Sequence, residues 1–145
     1  MAGRAKKILL AIDGSIASKN AARYAFELST ALDNRITCIS VIGTPPGLRK
    51  MNPALVALYL SEAEKHAKKC LEEVEDLARQ ERISMNCEIV IGTSSVPTAI
   101  IEYAKKCDAD FIVMGARGTG AKKLLLGSVA NAVVSHAGCP VLLVH

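Results

Sequence analysis

The segment FIVMGARGTGAKKLLLGSVANAVV, residues 111–134, contains the pattern that decides the fold. Its first four residues form a short apolar run, which is typical of a strand buried in a parallel sheet. Glycines then occupy positions 115, 118, 120 and 127, and Ser128 precedes apolar residues at helical spacing. The pattern therefore predicts a strand, a glycine-rich turn and a helix that begins near Gly127-Ser128.

Four further strand patterns, at residues 8–12, 36–42, 87–91 and 141–144, alternate with helical patterns along the chain of 145 residues. The first is an unbroken apolar run, and the third alternates apolar residues with polar or smaller ones, as a strand nearer a sheet edge does. Parallel strands need crossover connections, so the alternation of strands with helices predicts one α/β domain over residues 1–145, a doubly wound parallel sheet of five strands with four helices. Ligands of such sheets bind beyond the carboxyl ends of the strands, where the winding reverses. The predicted functional positions are therefore the turns after strands one, two and four, which hold Asp13, residues 41–43 and the glycine cluster.

Composition and charge limit the classes of function. The formal net charge is only +4, and the chain has three Tyr, two Phe and no Trp. Because this leaves no aromatic platform for stacked bases, nucleic acid is not an expected partner. No apolar stretch approaches the ~20 residues that cross a bilayer, so we expect no membrane contact. Five cysteines without a CxxC pair suit a reducing compartment, and we expect small buried thiols in a cytoplasmic protein.

The glycine-rich segment favours phosphate chemistry. Glycine allows the backbone to approach a bulky anion, and a helix N-terminus presents free N–H groups with about half a positive charge. We expect Gly127 and Ser128 to supply these donors. Three cations of the segment either neutralise phosphate charge or lie in a solvated loop: Arg117, Lys122 and Lys123.

Two common nucleotide motifs are incomplete in this chain. Residues 115 and 120 have the glycine spacing of a Walker A loop, but Ala121-Lys122-Lys123 stands where Gly-Lys-Ser/Thr is required. The hydroxyl that holds magnesium in that motif is therefore missing, which argues against Walker-type hydrolysis. The first strand leads into Asp13-Gly14-Ser15 rather than GxGxxG, so the dinucleotide fingerprint is missing as well.

Nearly the whole chain resembles the universal stress proteins, and specifically their ATP-binding branch. The resemblance is carried by an opening strand that ends in Asp13-Gly14-Ser15, by VIG at residues 41–43, and by the segments FIVMGARG, GSVANAVV and CPVLLV. The nucleotide motif of that branch is G-x2-G-x9-G-[ST]. Its conserved positions are matched here by Gly115, Gly118, Gly127 and Ser128, although only eight residues separate the second glycine from the third, one fewer than in the motif.

The resemblance implies a ligand and a site. The ligand is ATP, or AMP or ADP in view of the shorter loop, with Mg²⁺. Asp13 resembles the acidic residue near the ribose or the metal-bound phosphate, and Val41 the position whose backbone reads the adenine edge. The other implied site residues are Gly115 and Gly118 along the ribose and phosphates, and Gly127, Ser128 and Val129 at the phosphate end.

The resemblance also implies an architecture and an assembly. The fold is the adenine-nucleotide α-hydrolase-like fold with strand order 3-2-1-4-5, and two copies join by antiparallel pairing of Val141–Val144 into a homodimer. That strand carries no charge to protect an exposed edge. The expected function is that of a nucleotide-dependent regulator in the stress response, with little or no hydrolysis and with a protein partner that the sequence does not identify.

Two other functions are open alternatives. One is an ATP-using enzyme of the adenine-nucleotide α-hydrolase group, although no additional domain or acceptor site is evident. The other is a phosphorylation-switched receiver domain, which needs an acidic cluster after the first strand, where only Asp13 is present. We predict no catalytic residue and no metal-ligand set, because the sequence shows no catalytic or ligating partner for His66, His136 or His145. Asp13, taken alone, is also compatible with a simple role in shaping a turn.

Overall fold

A computed structural model describes residue 4 and residues 6–92, 94–118 and 126–145. Within these residues, strands and helices alternate from the first element to the last. The strands are β1 (Lys7–Ile12), β2 (Arg35–Ile42), β3 (Met85–Ile91), β4 (Phe111–Gly115) and β5 (Val141–Val144). The helices are α1 (Ile16–Leu32), α2 (Pro53–Gln80), α3 (Val96–Lys106) and α4 (Ser128–His136), with one 3-10 turn at Leu48–Lys50.

The five strands form one sheet in the order β3-β2-β1-β4-β5. Every pairing is parallel, and β1 is the central strand, hydrogen-bonded to β2 on one side and to β4 on the other. The predicted fold class and strand order are therefore confirmed. The chain winds outward in one direction through β2 and β3 and then in the other through β4 and β5, so the winding reverses between β1 and β4.

Helices cover both faces of the sheet and explain why the first apolar run is unbroken. Ile8, Leu10 and Ile12 of β1 pack in the cluster that includes α1 and α2. Leu9 and Ala11 point to the opposite face, against α3 and α4. A strand that is buried on both faces needs apolar residues at every position, as expected for the centre of a doubly wound sheet.

The helix starts follow from short polar side chains. The Ser15 hydroxyl accepts the Ser18 N–H at the start of α1, and the Asn52 side chain accepts the Ala54 N–H at the start of α2. Ser15 is thus the N-cap of α1, whereas the Ser18 hydroxyl donates to the Ser15 carbonyl. In α4 the N-cap is Gly127, which has no side chain to accept a hydrogen bond.

The cysteines are less uniformly buried than expected. Cys38 and Cys70 are buried, but Cys87, Cys107 and Cys139 are only half-buried, so the prediction of five buried thiols is wrong for three of them. Cys87 lies on the edge strand β3, where one side of the sheet has no neighbouring strand, which accounts for its exposure. Within the described ranges, no helix combines the length and the apolar character that spanning a membrane requires.

Candidate functional site

A cavity of about 500 Å³ lies at the carboxyl ends of β1, β2 and β4, where the winding of the sheet reverses. Its walls come from the ends of these strands and from the first turns of α3 and α4. A volume of this size falls in the range of small-molecule sites, roughly 300–1,000 Å³. Eight of the residues that the sequence analysis assigns to a nucleotide site line the cavity: Asp13, Val41, Gly115, Arg117, Gly118, Gly127, Ser128 and Val129.

Asp13 follows β1 directly and has two structural roles. Its Oδ1 accepts the Ser15 N–H at 2.9 Å, and its own N–H donates to the Ser18 hydroxyl at 3.4 Å. These bonds form the tight turn into α1, as the simple interpretation of an Asp-Gly pair predicts. The second oxygen, Oδ2, faces the glycine segment, since a Cβ atom built on Gly118 would lie 3.0 Å from it. Asp13 therefore shapes the turn and also presents a carboxylate oxygen to the cavity.

The N-terminus of α4 presents three backbone amides at the rim. The first bond inside this helix is donated by Asn131 to the Gly127 carbonyl, at 2.9 Å. The amides of Ser128, Val129 and Ala130 therefore precede the first intrahelical donor and are left for a ligand or solvent. The Gly127 N–H differs from our expectation, because it donates to the Ala116 carbonyl at 2.8 Å and is not a free donor. The free amides of this helix end thus begin at Ser128, one residue later than predicted.

Gly115 is required for packing as well as for the cavity. A Cβ atom at this position would lie 2.9 Å from the Ser18 nitrogen and 3.0 Å from the Ala17 carbonyl carbon. Both are backbone atoms of α1, which cannot move without shifting the helix. The end of β4 therefore approaches the start of α1 as closely as it does only because residue 115 has no side chain.

The apolar wall of the cavity includes residues that the sequence analysis missed. Val96 and Ile100 lie one turn apart on α3, and Met114 lies near the end of β4. Together with Val41 at the end of β2, they contribute an apolar part of the lining of the cavity that the first residues of α4 also border. The spacing of Val96 and Ile100 marks the buried face of a helix, but nothing in that pattern distinguishes a cavity wall from ordinary core.

The three cationic residues of the glycine-rich segment fall into two groups. Arg117 lines the cavity, and its carbonyl accepts the Ser15 hydroxyl at 3.4 Å, which ties the glycine segment to the start of α1. Lys122 and Lys123 lie outside the described residues, as does Gly120. The neutralisation of phosphate charge by Lys122 and Lys123 therefore stays a prediction.

A thiol and an imidazole lie directly behind the Asp13 turn. Gly14 has a φ of +85°, and a Cβ atom there would lie 2.8 Å from the Cys70 Sγ. His66, one turn earlier on α2, approaches the same sulfur with its Nε2 at 3.5 Å, so the expectation that this histidine has no partner is wrong. Burial raises the pKa of the Cys70 thiol, and the nearby Glu73 and Asp13 charges raise it further. The thiol therefore supports the turn in its neutral form.

Fold and cavity together define the class of this protein: a doubly wound parallel α/β domain with its candidate ligand site at the topological switch point. The Asp13 carboxylate, the first amides of α4 and the apolar wall all border this cavity. The chain belongs to the universal stress protein family, whose family model matches residues 4–145.

Relatives match the chain over almost its full length. A universal stress protein of Thermus aquaticus is 35% identical over 147 residues, which cover 97% of this chain and 98% of the relative. Universal stress protein MJ0531 of Methanocaldococcus jannaschii is 33% identical over 140 residues, which cover 96% of this chain and 81% of the relative. The predicted family resemblance is confirmed.

Solved structures share the fold. Universal stress protein UspA from Lactobacillus plantarum has a TM-score of 0.84 at 23% identity, with 99% of each chain covered. A universal stress protein in complex with cAMP has a TM-score of 0.74 at 24% identity, again covering 99% of each chain. The protein from Archaeoglobus fulgidus in complex with dAMP has a TM-score of 0.73 at 20% identity and covers 100% of each chain. These likenesses support the adenine-nucleotide α-hydrolase-like fold.

Proposed function

We propose that this protein binds an adenine nucleotide, ATP or its products ADP and AMP, in the cavity at the switch point. One observation carries the proposal: residues from four separate stretches of the chain, to which the sequence and the family resemblance assign contacts with the adenine, ribose and phosphates, line a single cavity. The complexes of related structures with cAMP and dAMP support an adenine-containing ligand.

The two ends of the cavity suit the two ends of a nucleotide. Val41, Val96, Ile100 and Met114 provide an apolar side for the flat face of adenine. The amides of Ser128, Val129 and Ala130 border the same cavity at the N-terminus of α4, where the positive end of the helix dipole favours an anion. The nucleotide therefore lies with its base toward β2 and α3 and its phosphates toward α4.

Asp13 fits a ribose hydroxyl or a magnesium ion. A carboxylate next to a polyphosphate is repelled unless a cation or a hydroxyl hydrogen lies between them. Mg²⁺ is commonly held by one or two carboxylates together with the phosphates of the substrate. Since Oδ1 is already bonded to the Ser15 N–H, Oδ2 is the atom that faces the ligand. We therefore propose that the triphosphate binds with Mg²⁺ and that Asp13 contributes to its site.

The lining favours a binding protein over an enzyme. Among the described residues that line the cavity, Asp13 is the single carboxylate, and the lining includes no histidine or cysteine. Efficient hydrolysis needs a positioned base for the attacking water. We propose that turnover is slow or absent and that the bound nucleotide acts as a regulatory signal in the stress response, read by a protein partner.

We also propose that the protein is cytoplasmic and forms a homodimer. The five cysteines support a reducing compartment. β5 supports the dimer, because it lies at one border of the sheet, consists of uncharged residues and leaves Leu142 38% exposed. An apolar border strand of this kind is a template for pairing with a second copy.

Ser128→Pro tests the phosphate end without disturbing the helix. Proline is well tolerated at the first helical position, and Gly127, with ψ of 151°, already has the extended conformation that precedes proline. The substitution removes one amide donor. We expect roughly a 10- to 100-fold loss of affinity for ATP or AMP in calorimetry, and little change for adenosine, because a hydrogen bond to a charged group is worth about 1.5–3 kcal/mol.

Ser128→Ala is the matched control. It keeps the amide and removes only the hydroxyl, so we expect it to bind the nucleotides far better than the proline variant. Equal ATP binding by the native protein and the Ser128→Pro variant would overturn the proposed phosphate end. Failure of the native protein to bind any adenine nucleotide at millimolar concentration would overturn the proposed function as a whole.

A further inference from the structure

Cys38 and Cys87 lie side by side on neighbouring strands, away from the cavity lining. The register of β2 and β3 pairs the two residues directly. Paired residues of adjacent strands point to the same face, and both thiols pack in the cluster formed with α1 and α2. Adjacent strands are about 4.8 Å apart. This spacing lies within the Cα separation that disulfides span, roughly 4.4–6.8 Å.

We propose that Cys38 and Cys87 form a dithiol site that exchanges with small-molecule disulfides of the glutathione type and closes to a disulfide between β2 and β3. The two residues differ in access. Cys38 has 0% exposure, whereas Cys87 is half-buried on an edge strand. Cys87 is therefore the thiol that meets the incoming disulfide.

The exchange has two steps that balance. The Cys87 thiolate attacks one sulfur of glutathione disulfide, so that a Cys87–glutathione bond forms and one glutathione thiolate leaves. The Cys38 thiolate then attacks the Cys87 sulfur, the protein disulfide forms and the second glutathione leaves. Two electrons pass from the protein to the oxidant, and the two thiol protons end on the two reduced glutathione molecules.

The geometry also indicates which step is slow. A hydrogen bond with the Cys87 thiol, together with burial, raises the pKa of Cys38 well above its ordinary value. Once Cys87 carries glutathione, the first of these causes is lost and burial remains. Only the thiolate attacks, so the second step is limited by the small ionised fraction of Cys38. In addition, a disulfide needs a Cβ separation of roughly 3.5–4.5 Å, so a shift of β3 makes up any difference from the separation in the reduced protein. An edge strand has one unpaired side and permits such a shift.

Oxidation with glutathione disulfide under native conditions tests the proposal. After denaturation, the number of thiols that can be alkylated has fallen from five to three, and trypsin digestion without reduction yields residues 36–49 crosslinked to residues 83–105. A Cys87–glutathione adduct precedes the crosslink. In the Cys38→Ser variant this adduct persists, and the Cys87→Ser variant gives neither adduct nor crosslink at these positions.

Cys139→Ser is the matched control, since it removes another half-buried thiol that has no such partner in the strand register. It leaves the crosslink between residues 38 and 87 unchanged. Circular dichroism of each variant shows that the fold is retained. The proposal is overturned if Cys87 remains an unmodified thiol, if its adduct never closes, or if a different pair crosslinks first.

Discussion

Gly14 and Gly47 have almost the same backbone conformation but different surroundings. Their φ angles are +85° and +84°, in the left-handed region that favours glycine. A Cβ atom on Gly47 would meet nothing within 4 Å, whereas one on Gly14 would lie 2.8 Å from the Cys70 Sγ. The pair therefore separates the cost of backbone strain from the cost of crowding.

We expect Gly14→Ala to destabilise the protein more than Gly47→Ala. Both substitutions cost about 1–2 kcal/mol for a left-handed alanine. Crowding against Cys70 adds about 1–3 kcal/mol at position 14 only. Urea unfolding measures both variants, and the double variant Gly14→Ala with Cys70→Ala recovers part of the loss. Equal destabilisation at the two positions would contradict the contact between the Asp13 turn and α2.

At the scale of secondary-structure elements, Asp110 joins the start of β4 to the start of β1 through a hydrogen bond. Its Oδ2 accepts the Lys7 N–H at 2.7 Å, and its Oδ1 accepts from the Arg4 guanidinium at 2.8 Å. The hydrogen bond from Lys7 is the main cause that lowers the pKa of Asp110, and the Arg4 charge lowers it further. The ionised carboxylate is thus favoured in the folded state.

Asp110→Asn should remove a pH-dependent part of the stability. Because the folded pKa lies below the unfolded one, the carboxylate stabilises the fold above the unfolded pKa, and this contribution disappears as the pH falls through the folded pKa. We expect the variant to be less stable than the native protein at about pH 7 and the difference to shrink toward about pH 3. Asp108→Asn removes the same charge two residues away and serves as the control. A constant difference across this range would contradict the assignment.

The sequence predicts the elements better than the details of the site. The unbroken apolar run of β1 identifies a strand that is covered on both faces, and parallel connections then restrict the topology. The free amides of α4 were predicted one residue too early. The Gly127 N–H donates to the Ala116 carbonyl, which is distant in the sequence, and no local pattern reveals such a contact. Gly115 illustrates the same limit, because the clash that a side chain at this position would make with α1 is visible only in three dimensions.

At the scale of the whole molecule, the two borders of the sheet differ. β3 carries Asn86 and Glu88 as exposed polar residues, whereas β5 is entirely uncharged. Charged residues on a border strand discourage pairing with another chain. The dimer proposed above should therefore form through β5 rather than through β3.

We expect the native protein to sediment as a dimer at micromolar concentration and the Leu142→Lys variant to sediment as a monomer. A lysine on the border strand opposes pairing with a second copy because two like charges approach one another. Leu58→Lys is the control: it adds the same charge at an exposed leucine of α2, and we expect it to remain dimeric. A monomeric native protein would argue against the pairing, as would a dimer that survives Leu142→Lys.

Because the N-cap of α4 is a glycine, binding of a ligand at this helix end contributes to the free energy of unfolding. Most helices are capped by an oxygen of their own chain, but Gly127 has no side chain to supply one. Under the proposed function, an incoming phosphate supplies that oxygen. Unfolding must then release the ligand, and at a hundredfold excess over its Kd this adds about 2.7 kcal/mol. Melting temperatures recorded on purified, ligand-free material therefore understate the stability of the protein in a cell where nucleotide is abundant.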